Sequence, residues 1–183
     1  MKTVLPYVKE YKDELVKSLK KEMGVENPHA IPKLSKIVVS VGIGSMMQRS
    51  KDFSSVEKNL ALITGQKPIV RKSKKAISNF KLREGMPVGL MVTLRGKAMY
   101  GFLKKLVTIV LPRVRDFRGL STRSFDGLGN YSIGLKEHTV FPEIKQEDDL
   151  AVHGIQITFS TTANNNKDGL AFMKLAGLPF QKK

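Results

Sequence analysis

Residues 66–96 read QKPIVRKSKKAISNFKLREGMPVGLMVTLRG, and this stretch decides the predicted fold. Strand-forming residues begin at Ile69 and Val70, and from residue 88 to residue 94 apolar side chains alternate with small or polar ones. The residues between these two strands are strongly basic. The stretch therefore predicts a long hairpin, residues 66–96, with a basic tip.

The tip of this hairpin has the composition of a nucleic-acid-binding loop. Residues 67–83 carry seven Lys or Arg and no acid, and one aromatic residue, Phe80, lies among the last four of these bases. A loop of about a dozen residues is longer than the usual hairpin connection, and long ordered loops are more often functional than filler. The alternative is a solvated charge run, against which Phe80 argues.

The positive charge of the chain is concentrated in its middle third. The formal net charge is +16. Residues 58–123 hold sixteen Lys or Arg and two acids, whereas residues 124–183 hold six Lys or Arg and seven acids. Such a block repels itself unless a polyanion neutralises it, so nucleic acid or an anionic lipid surface is the expected partner. A lipid surface favours bases along one face of an amphipathic helix, but most of these lie in a loop and on strand ends.

Length and composition indicate one domain that spans residues 1–183. The chain has 183 residues, 41% of them hydrophobic, which is enough to bury a proper core. It has no Cys and therefore no disulfide framework or thiolate metal site. The charged N-terminus resembles no signal peptide, and no apolar run is long enough to span a membrane. We expect a soluble intracellular protein.

The periodicity of the remaining sequence predicts four helices and three further strands. Helical spacing of apolar residues covers residues 4–24, 53–64, 99–110 and a short last helix that ends at Gly177, and Pro112 is predicted to end the third of these. Strand patterns cover residues 33–44, 131–141 and 154–160. A capping box of Ser54 and Glu57 is predicted to start the second helix.

Opposite its apolar face, each strand carries small or polar residues. This pattern lets a rigid polyanion approach the backbone closely, although any half-exposed antiparallel sheet is also polar on its outer face. The residues concerned are Ser40, Gly42, Gly89, Thr93, Ser132, Gly134, Thr158 and Ser160. The predicted fold class is α+β, a mainly antiparallel sheet with helices packed on one face and a long basic hairpin loop.

No constellation of residues points to catalysis or to a cofactor. Gly42 and Gly44 follow a strand, but Met47 stands where a dinucleotide fingerprint requires its third Gly. The sequence contains neither an ordered Ser, His and Asp set nor a phosphate-binding loop with Lys and Ser or Thr. The three histidines, His29, His138 and His153, show no ligand spacing and are expected to be surface or satisfied residues.

Four acids cluster in the later part of the chain, namely Glu143, Glu147, Asp148 and Asp149. Paired carboxylates can perform acid–base or metal chemistry, but their adjacency in a turn-like segment favours a solvated patch. In a protein this basic, an acidic patch is also a plausible dock for a second, basic protein.

Long, ordered segments of this chain resemble one known family. They are LITGQKPIVRKSKKAISNFKLREGMPVG, VTLRGKAMYGFL, LPRVRDFRGLS, FDGLGNYSIGLKEHTVFPEI and the tail GLPF. Over nearly its whole length the chain is similar to the bacterial-type family of large-subunit ribosomal proteins that bind 5S rRNA, universal protein number five of that subunit.

The resemblance implies a non-enzymatic protein of the cytoplasmic ribosome, without cofactor, that holds 5S rRNA in the central protuberance. It also implies neighbouring 23S rRNA and other large-subunit proteins, a hairpin tip that reaches toward P-site tRNA, and a bridge to a basic protein of the small-subunit head. Assigned by the resemblance, the residues for 5S rRNA are Lys36, Ser40, Gln66, Lys67, Arg71, Thr93 and Arg95, and those for tRNA are Lys74, Lys75, Ser78, Asn79, Phe80, Lys81 and Arg83. The acidic cluster is the candidate for the bridge.

The first strand departs from the family pattern. Where the family usually reads Asn-Met-Gly-Val-Gly, this chain has SVGIG from Ser40 onward, so a hydroxyl replaces the amide expected to contact RNA. Ser40 can still donate one hydrogen bond. The competing interpretations are an enzyme that acts on RNA and a general RNA-binding module, and the first of these lacks a nucleophile, metal or acid–base constellation.

Overall fold

The computed structural model describes residues 27, 29–44, 46, 53–144 and 152–181. The predicted N-terminal helix, residues 1–24, lies outside the described residues. The described part confirms the α+β fold class: helices accompany a five-stranded antiparallel sheet.

The five strands are β1 Leu34–Gly42, β2 Ile69–Lys72, β3 Pro87–Leu94, β4 Tyr131–Leu135 and β5 Ile155–Thr161. They lie in the sheet in the order β2-β3-β1-β5-β4, so β1 has two neighbours, β3 and β5, that do not follow it directly in the chain. Burial alternates along β1, β4 and β5 and through the second half of β3, because successive side chains of a strand point to opposite faces. One face of the sheet is therefore core, and the other is half-exposed.

The helices follow the apolar spacing of the sequence. They are α1 Ser54–Thr64, α2 Gly96–Lys105 and α3 Asn166–Leu175. In α1 the buried apolar residues Val56, Leu60 and Ile63 lie on one face. Gly65 closes this helix in the left-handed region, at φ 67°, and its N–H donates to the Ala61 carbonyl. The buried side of α1 was thus predictable from periodicity.

Helix ends differ from the prediction at two places. Phe53 occupies the N-cap position of α1 and Ser54 is the first helical residue, so Ser54 is not the N-cap that the predicted capping box requires. Pro112 does not end the third predicted helix, because α2 widens into a π-helical turn, Leu106–Val110, and continues as Leu111–Arg113. A Pro without an N–H is tolerated here in the first positions of a new helical turn.

The predicted strand over residues 131–141 is too long. β4 ends at Leu135, and a 3₁₀ turn, His138–Val140, follows. Alternation of apolar residues stops at Lys136 and Glu137, which are both exposed, and this break in the pattern marks the true end of the strand.

The described chain divides into two compact units. The first takes in Leu94–Ile133 with the described residues up to Ile37 and from Thr158 onward, and it contains α2, the π turn and α3. Its core includes Phe102, Leu106, Phe159 and Met173.

The second unit takes in Val38–Thr93 and Gly134–Ile157 and contains α1, β2 and the basic hairpin. Val39, Leu60, Leu90 and Ile157 are among its buried residues. This unit positions most of the residues expected to bind RNA.

Candidate nucleic-acid interface

The base of the hairpin is an antiparallel ladder between β2 and β3. Ile69 lies opposite Met91, and Lys72 lies opposite Pro87, with a shift of register between Arg71 and Lys72. Pro87 has no N–H to give to the ladder and stands at the first position of its strand, where such a residue is tolerated. The ladder fixes the direction in which the residues beyond it leave the sheet.

Beyond the ladder, backbone hydrogen bonds continue into the tip. The Ser73 N–H donates to the Met86 carbonyl over 2.8 Å, and the Gly85 N–H donates to the Ser73 carbonyl over 3.0 Å. Further out, Ile77 and Leu82 form an isolated antiparallel bridge around the 3₁₀ turn Ser78–Phe80. The tip therefore continues the first hairpin as a second, smaller hairpin.

The basic tip, residues 74–83, presents its polar and charged side chains to solvent. Phe80 is 67% exposed, a large fraction for a phenyl ring. Every predicted tRNA-contacting residue is exposed: Lys74, Lys75, Ser78, Asn79, Phe80, Lys81 and Arg83. Cations that surround an exposed aromatic ring can neutralise phosphates while the ring stacks on a base.

Gln66 and Lys67 lie exposed between the end of α1 and β2. They line a shallow surface depression of about 540 Å³ together with Lys58, Ala61, Leu62 and Gly65. Sequence reasoning missed Lys58, although its spacing of four residues from the exposed Leu62 places both on the solvent face of α1. The depression thus joins the hairpin base to α1, with Lys58 and Lys67 among its lining residues.

The half-exposed sheet face carries the predicted strand residues. Ser40 lies between buried Val39 and Val41 on β1, and Thr93 lies between buried Val92 and Leu94 on β3. Both side chains therefore point away from the core. β3 and β1 are neighbours in the sheet, so these two strands offer small hydroxyl groups on one face.

The other predicted 5S rRNA residues are accessible as well. Arg71 is exposed on β2, Lys36 is half-buried on β1, and Arg95 is exposed directly after β3. Ser40, Gln66, Lys67, Arg71 and Thr93 belong to the second unit, whereas Lys36 and Arg95 belong to the first.

The electrostatics of the hairpin are one-sided. Residues 67–84 contain seven Lys or Arg and one acid, Glu84, and all seven bases are exposed. They are Lys67, Arg71, Lys72, Lys74, Lys75, Lys81 and Arg83. Such a density of exposed positive charge is suited to a polyanion.

The acidic cluster is described only at its start. Glu143 is half-buried and Oε2 of its carboxylate is inaccessible to solvent, so this residue is not the fully solvated acid that the sequence suggested. Glu147, Asp148 and Asp149 lie outside the described residues.

Two of the three histidines form a buried pair, which sequence spacing did not reveal. The rings of His138 and His153 stack with their centroids 3.8 Å apart, and the His153 backbone N–H donates to Nδ1 of His138 over 3.3 Å. His29 is exposed. Within the described residues, no group of three His, Cys, Asp or Glu could hold a metal ion.

None of the helices in the described ranges is long and apolar enough to cross a lipid bilayer.

Comparison with protein families matches almost the whole described chain. The model of ribosomal protein L5 matches residues 27–83, and the model of the ribosomal L5P family C-terminus matches residues 87–180. The boundary between the two matches falls between the basic tip and β3.

Curated relatives are similar to the chain over nearly their full length. The large ribosomal subunit protein uL5 of Desulforapulum autotrophicum is 50% identical over 171 residues, which cover 93% of this chain and 96% of the relative. The protein of the same name from Dictyoglomus turgidum is 50% identical over 94% of this chain and 96% of its own. That of Thermotoga sp. is 49% identical over 97% of each chain.

The half-exposed sheet face and the basic hairpin are consistent with the two family matches and with these sequence identities. The chain belongs to the uL5 family of ribosomal proteins and is a structural constituent of the large ribosomal subunit, not an enzyme.

Proposed function

We propose that this chain binds 5S rRNA through its open sheet face and hairpin base and attaches that RNA to the large subunit in the central protuberance. The observation that carries the proposal is the juxtaposition, within one compact unit, of Ser40, Gln66 and Thr93 with exposed cations at the hairpin base. These cations are Lys67 and Arg71.

The geometry suits the recognition of an RNA by its shape. Double-stranded RNA is recognised largely through ribose hydroxyls and phosphates across its wide, shallow minor groove. Gly89 has no side chain, and the hydroxyls of Ser40 and Thr93 are short, so the RNA backbone can approach the sheet closely. Lys36 and Arg95 are proposed as further phosphate contacts.

The proposal is tested by the Gln66→Ala, Thr93→Ala double variant in a 5S rRNA binding titration. Each lost hydrogen bond is worth about 0.5–1.5 kcal/mol, so the dissociation constant should rise by about 5-fold to 150-fold. Both side chains lie outside the core, so the double variant should remain folded.

A matched control makes the same two residue changes at exposed positions of the other unit, Thr108→Ala and Gln181→Ala. This control should bind 5S rRNA like the unmodified chain. An unchanged affinity of the Gln66, Thr93 variant would remove the sheet face and hairpin base from the binding site.

We further propose that the basic tip contacts P-site tRNA. Its support is the exposure of four cations, Lys74, Lys75, Lys81 and Arg83, around the exposed ring of Phe80. The tip lies beyond the ladder that carries the proposed 5S rRNA site, so the two RNA contacts are separable by deletion.

The bridge to a basic protein of the small-subunit head is proposed for the acidic cluster, Glu143, Glu147, Asp148 and Asp149. Its support is charge: RNA phosphates repel this segment, whereas a basic protein is attracted to it. Contacts with 23S rRNA and with other large-subunit proteins complete the proposed set of partners.

A further inference from the structure

One turn of the first unit takes no part in the proposed function and carries a chemically reactive dipeptide. Residues 126–130 read DGLGN, and Asp126 and Gly127 are both exposed. An aspartate followed by glycine rearranges readily, because glycine has no side chain to hinder attack of its amide nitrogen on the preceding carboxyl group. The sequence contains two such dipeptides, this one and Asp168–Gly169 in α3, and no Asn followed by Gly.

The rearrangement forms isoaspartate and needs no reagent other than water. The Gly127 nitrogen attacks Cγ of Asp126 and gives up its proton, and one carboxyl oxygen leaves as water, which produces a five-membered succinimide. A water molecule then opens the ring. Opening at the original backbone carbonyl leaves a main chain that runs through Cβ and Cγ, one atom longer than before. The reaction therefore requires a glycine nitrogen that can turn toward Cγ and a carboxyl group that can lose an oxygen.

In the folded unit, the glycine nitrogen is held by a side chain from α3. The Gly127 N–H donates to Oδ1 of Asn166 over 3.0 Å, although the two residues are 39 positions apart. The same oxygen accepts the Gly129 N–H over 3.2 Å, so one amide side chain binds two main-chain donors of the turn. Both segments belong to the first unit. Attack on Asp126 would break the bond from Gly127 to Asn166, and a deprotonated nitrogen would be repelled by the Asn166 oxygen.

The carboxyl group of Asp126 is held as well. Its Oδ1 accepts the Leu128 and Asn130 N–H groups over 2.9 and 3.0 Å, and its Oδ2 accepts from the Asn130 side-chain amide over 2.6 Å. The Asn130 side chain first, and the backbone amides after it, lower the pKa of Asp126, so the group is ionised at neutral pH. An ionised carboxylate is a poor target for a nucleophile. The Asn130 side chain is itself fixed, because its Oδ1 accepts the Thr161 N–H over 3.0 Å.

The second dipeptide is held in a different way. Gly169 is buried in α3, and its N–H donates to the backbone carbonyl of Asn165 over 3.1 Å. Because this acceptor belongs to the main chain, no side-chain truncation removes it. Asp168–Gly169 is therefore an internal reference, which becomes reactive only when the first turn of α3 opens.

We infer that Asp126–Gly127 is a latent site of isoaspartate formation and that the Asn166 side chain suppresses this modification by holding the Gly127 N–H. Asn166 is thus a positioning residue for the turn. Isoaspartate would place the carboxylate directly on Cα, where it no longer matches the Leu128 and Asn130 donors. The Gly129 carbonyl lies close against Gly169 of α3, so a turn lengthened by one atom should also loosen the packing of that helix.

The test incubates the full chain at neutral pH for several weeks and quantifies isoaspartate at each dipeptide by chromatography and mass spectrometry of its peptides. Asn166→Ala removes the hydrogen bond at the reacting nitrogen and should raise the rate at Asp126 by about 2-fold to 13-fold, the factor that corresponds to about 0.5–1.5 kcal/mol. The rate at Asp168 should not change. Asn166→Asp keeps an acceptor oxygen and should restore a rate near that of the unmodified chain.

Asn164→Ala is the matched control, because Asn164 is exposed in the segment just before α3. It should leave the rates at both dipeptides unchanged. Equal acceleration at Asp126 and Asp168 in the Asn166→Ala chain would show a general opening of α3 and overturn the inference. An unchanged rate at Asp126, or equal acceleration by Asn166→Ala and Asn166→Asp, would overturn it as well.

A second measurement needs no variant and therefore decides the matter even if Asn166→Ala does not fold. The unmodified chain is incubated in buffer and in urea, and isoaspartate at Asp126 is compared between the two. Protection by the folded turn predicts clear accumulation in urea and much slower accumulation in buffer. Equal rates in the two solutions, or no isoaspartate at Asp126 in urea, would contradict the inference.

Discussion

Gly169→Ala is a substitution for which helix propensity and packing predict opposite results. Gly169 lies inside α3, where Ala is favoured over Gly by about 1 kcal/mol. Yet a Cβ at this position would lie 2.6 Å from the Gly129 carbonyl oxygen and 2.8 Å from its Cα. The obstacle is backbone, which cannot rotate away as a flexible side chain can.

The turn that contains Gly129 has little room to move. Gly129 has φ 80°, its N–H donates to Oδ1 of Asn166 over 3.2 Å, and its carbonyl accepts from the Thr161 hydroxyl over 2.9 Å. Overpacking of this kind costs about 1–3 kcal/mol, and displacement of the turn weakens a hydrogen bond worth about 1 kcal/mol. After the gain in propensity, we expect a net loss of about 1–3 kcal/mol.

Thermal and urea unfolding measure this loss directly. For a chain of this size, the expected fall in melting temperature is about 2–10 °C. Gly101→Ala is the matched control, because Gly101 is exposed inside α2 and an added Cβ meets nothing within 4 Å. The control should gain about 0.5–1 kcal/mol. If Gly169→Ala is as stable as Gly101→Ala, the close contact between α3 and the turn does not exist.

Three further predictions concern the tip, the acids and one carboxylate. Deletion of residues 74–83 should spare 5S rRNA binding and impair P-site tRNA binding by reconstituted ribosomes; loss of 5S rRNA binding would make the tip the primary anchor. Reversal of Glu143, Glu147, Asp148 and Asp149 to Lys should slow subunit joining at low salt, since the reversed charges would repel the proposed basic partner, and joining rates that are equal throughout a salt titration would refute the bridge. The Asn130 side chain and the Leu128 and Asn130 amides hold the pKa of Asp126 below its ordinary value. Wild type should therefore be more stable than Asp126→Ala above a pH of about 4, and this advantage should vanish as the pH falls through the lower folded pKa. Urea titrations that show a constant advantage down to a pH of about 2 would contradict this prediction.

Periodicity was sufficient to predict the helices and strands whose apolar residues recur at one regular spacing. α1 and the buried face of β1 follow directly from spacings of about four and of two residues. The last helix was also predictable, since Asn165 caps it and Gly177 ends it with φ 91°.

Long-range contacts could not be predicted from the sequence. The stacking of His138 on His153 joins residues that are fifteen positions apart, and no spacing rule predicts it. The π turn Leu106–Val110 lies within the apolar stripe, whose spacing does not distinguish it from an α-helical turn. Helix ends depend on single hydrogen bonds, which residue types determine only weakly.

Some features of the candidate site could likewise be predicted from the sequence, and others could not. Exposure of the tip cations and of Phe80 was predictable, because the tip has no apolar pattern to bury them. The depression at the end of α1 was not, because it requires Lys58 of the helix and Lys67 after it to line one surface. The contacts of Leu120 with Phe180 and of Ser121 with Tyr131 likewise join residues that are distant in sequence.

The central claim is that this chain holds 5S rRNA through its sheet face and hairpin base. The most direct measurement is to recover the tagged chain from cells and to sequence and quantify the RNA that accompanies it when the ribosome has been dissociated. We predict 5S rRNA in an amount close to one molecule per chain, and a marked loss of it for the Gln66→Ala, Thr93→Ala variant but not for the Thr108→Ala, Gln181→Ala control. Recovery of 5S rRNA no greater than that of other small RNAs, or equal recovery with both variants, would contradict the account.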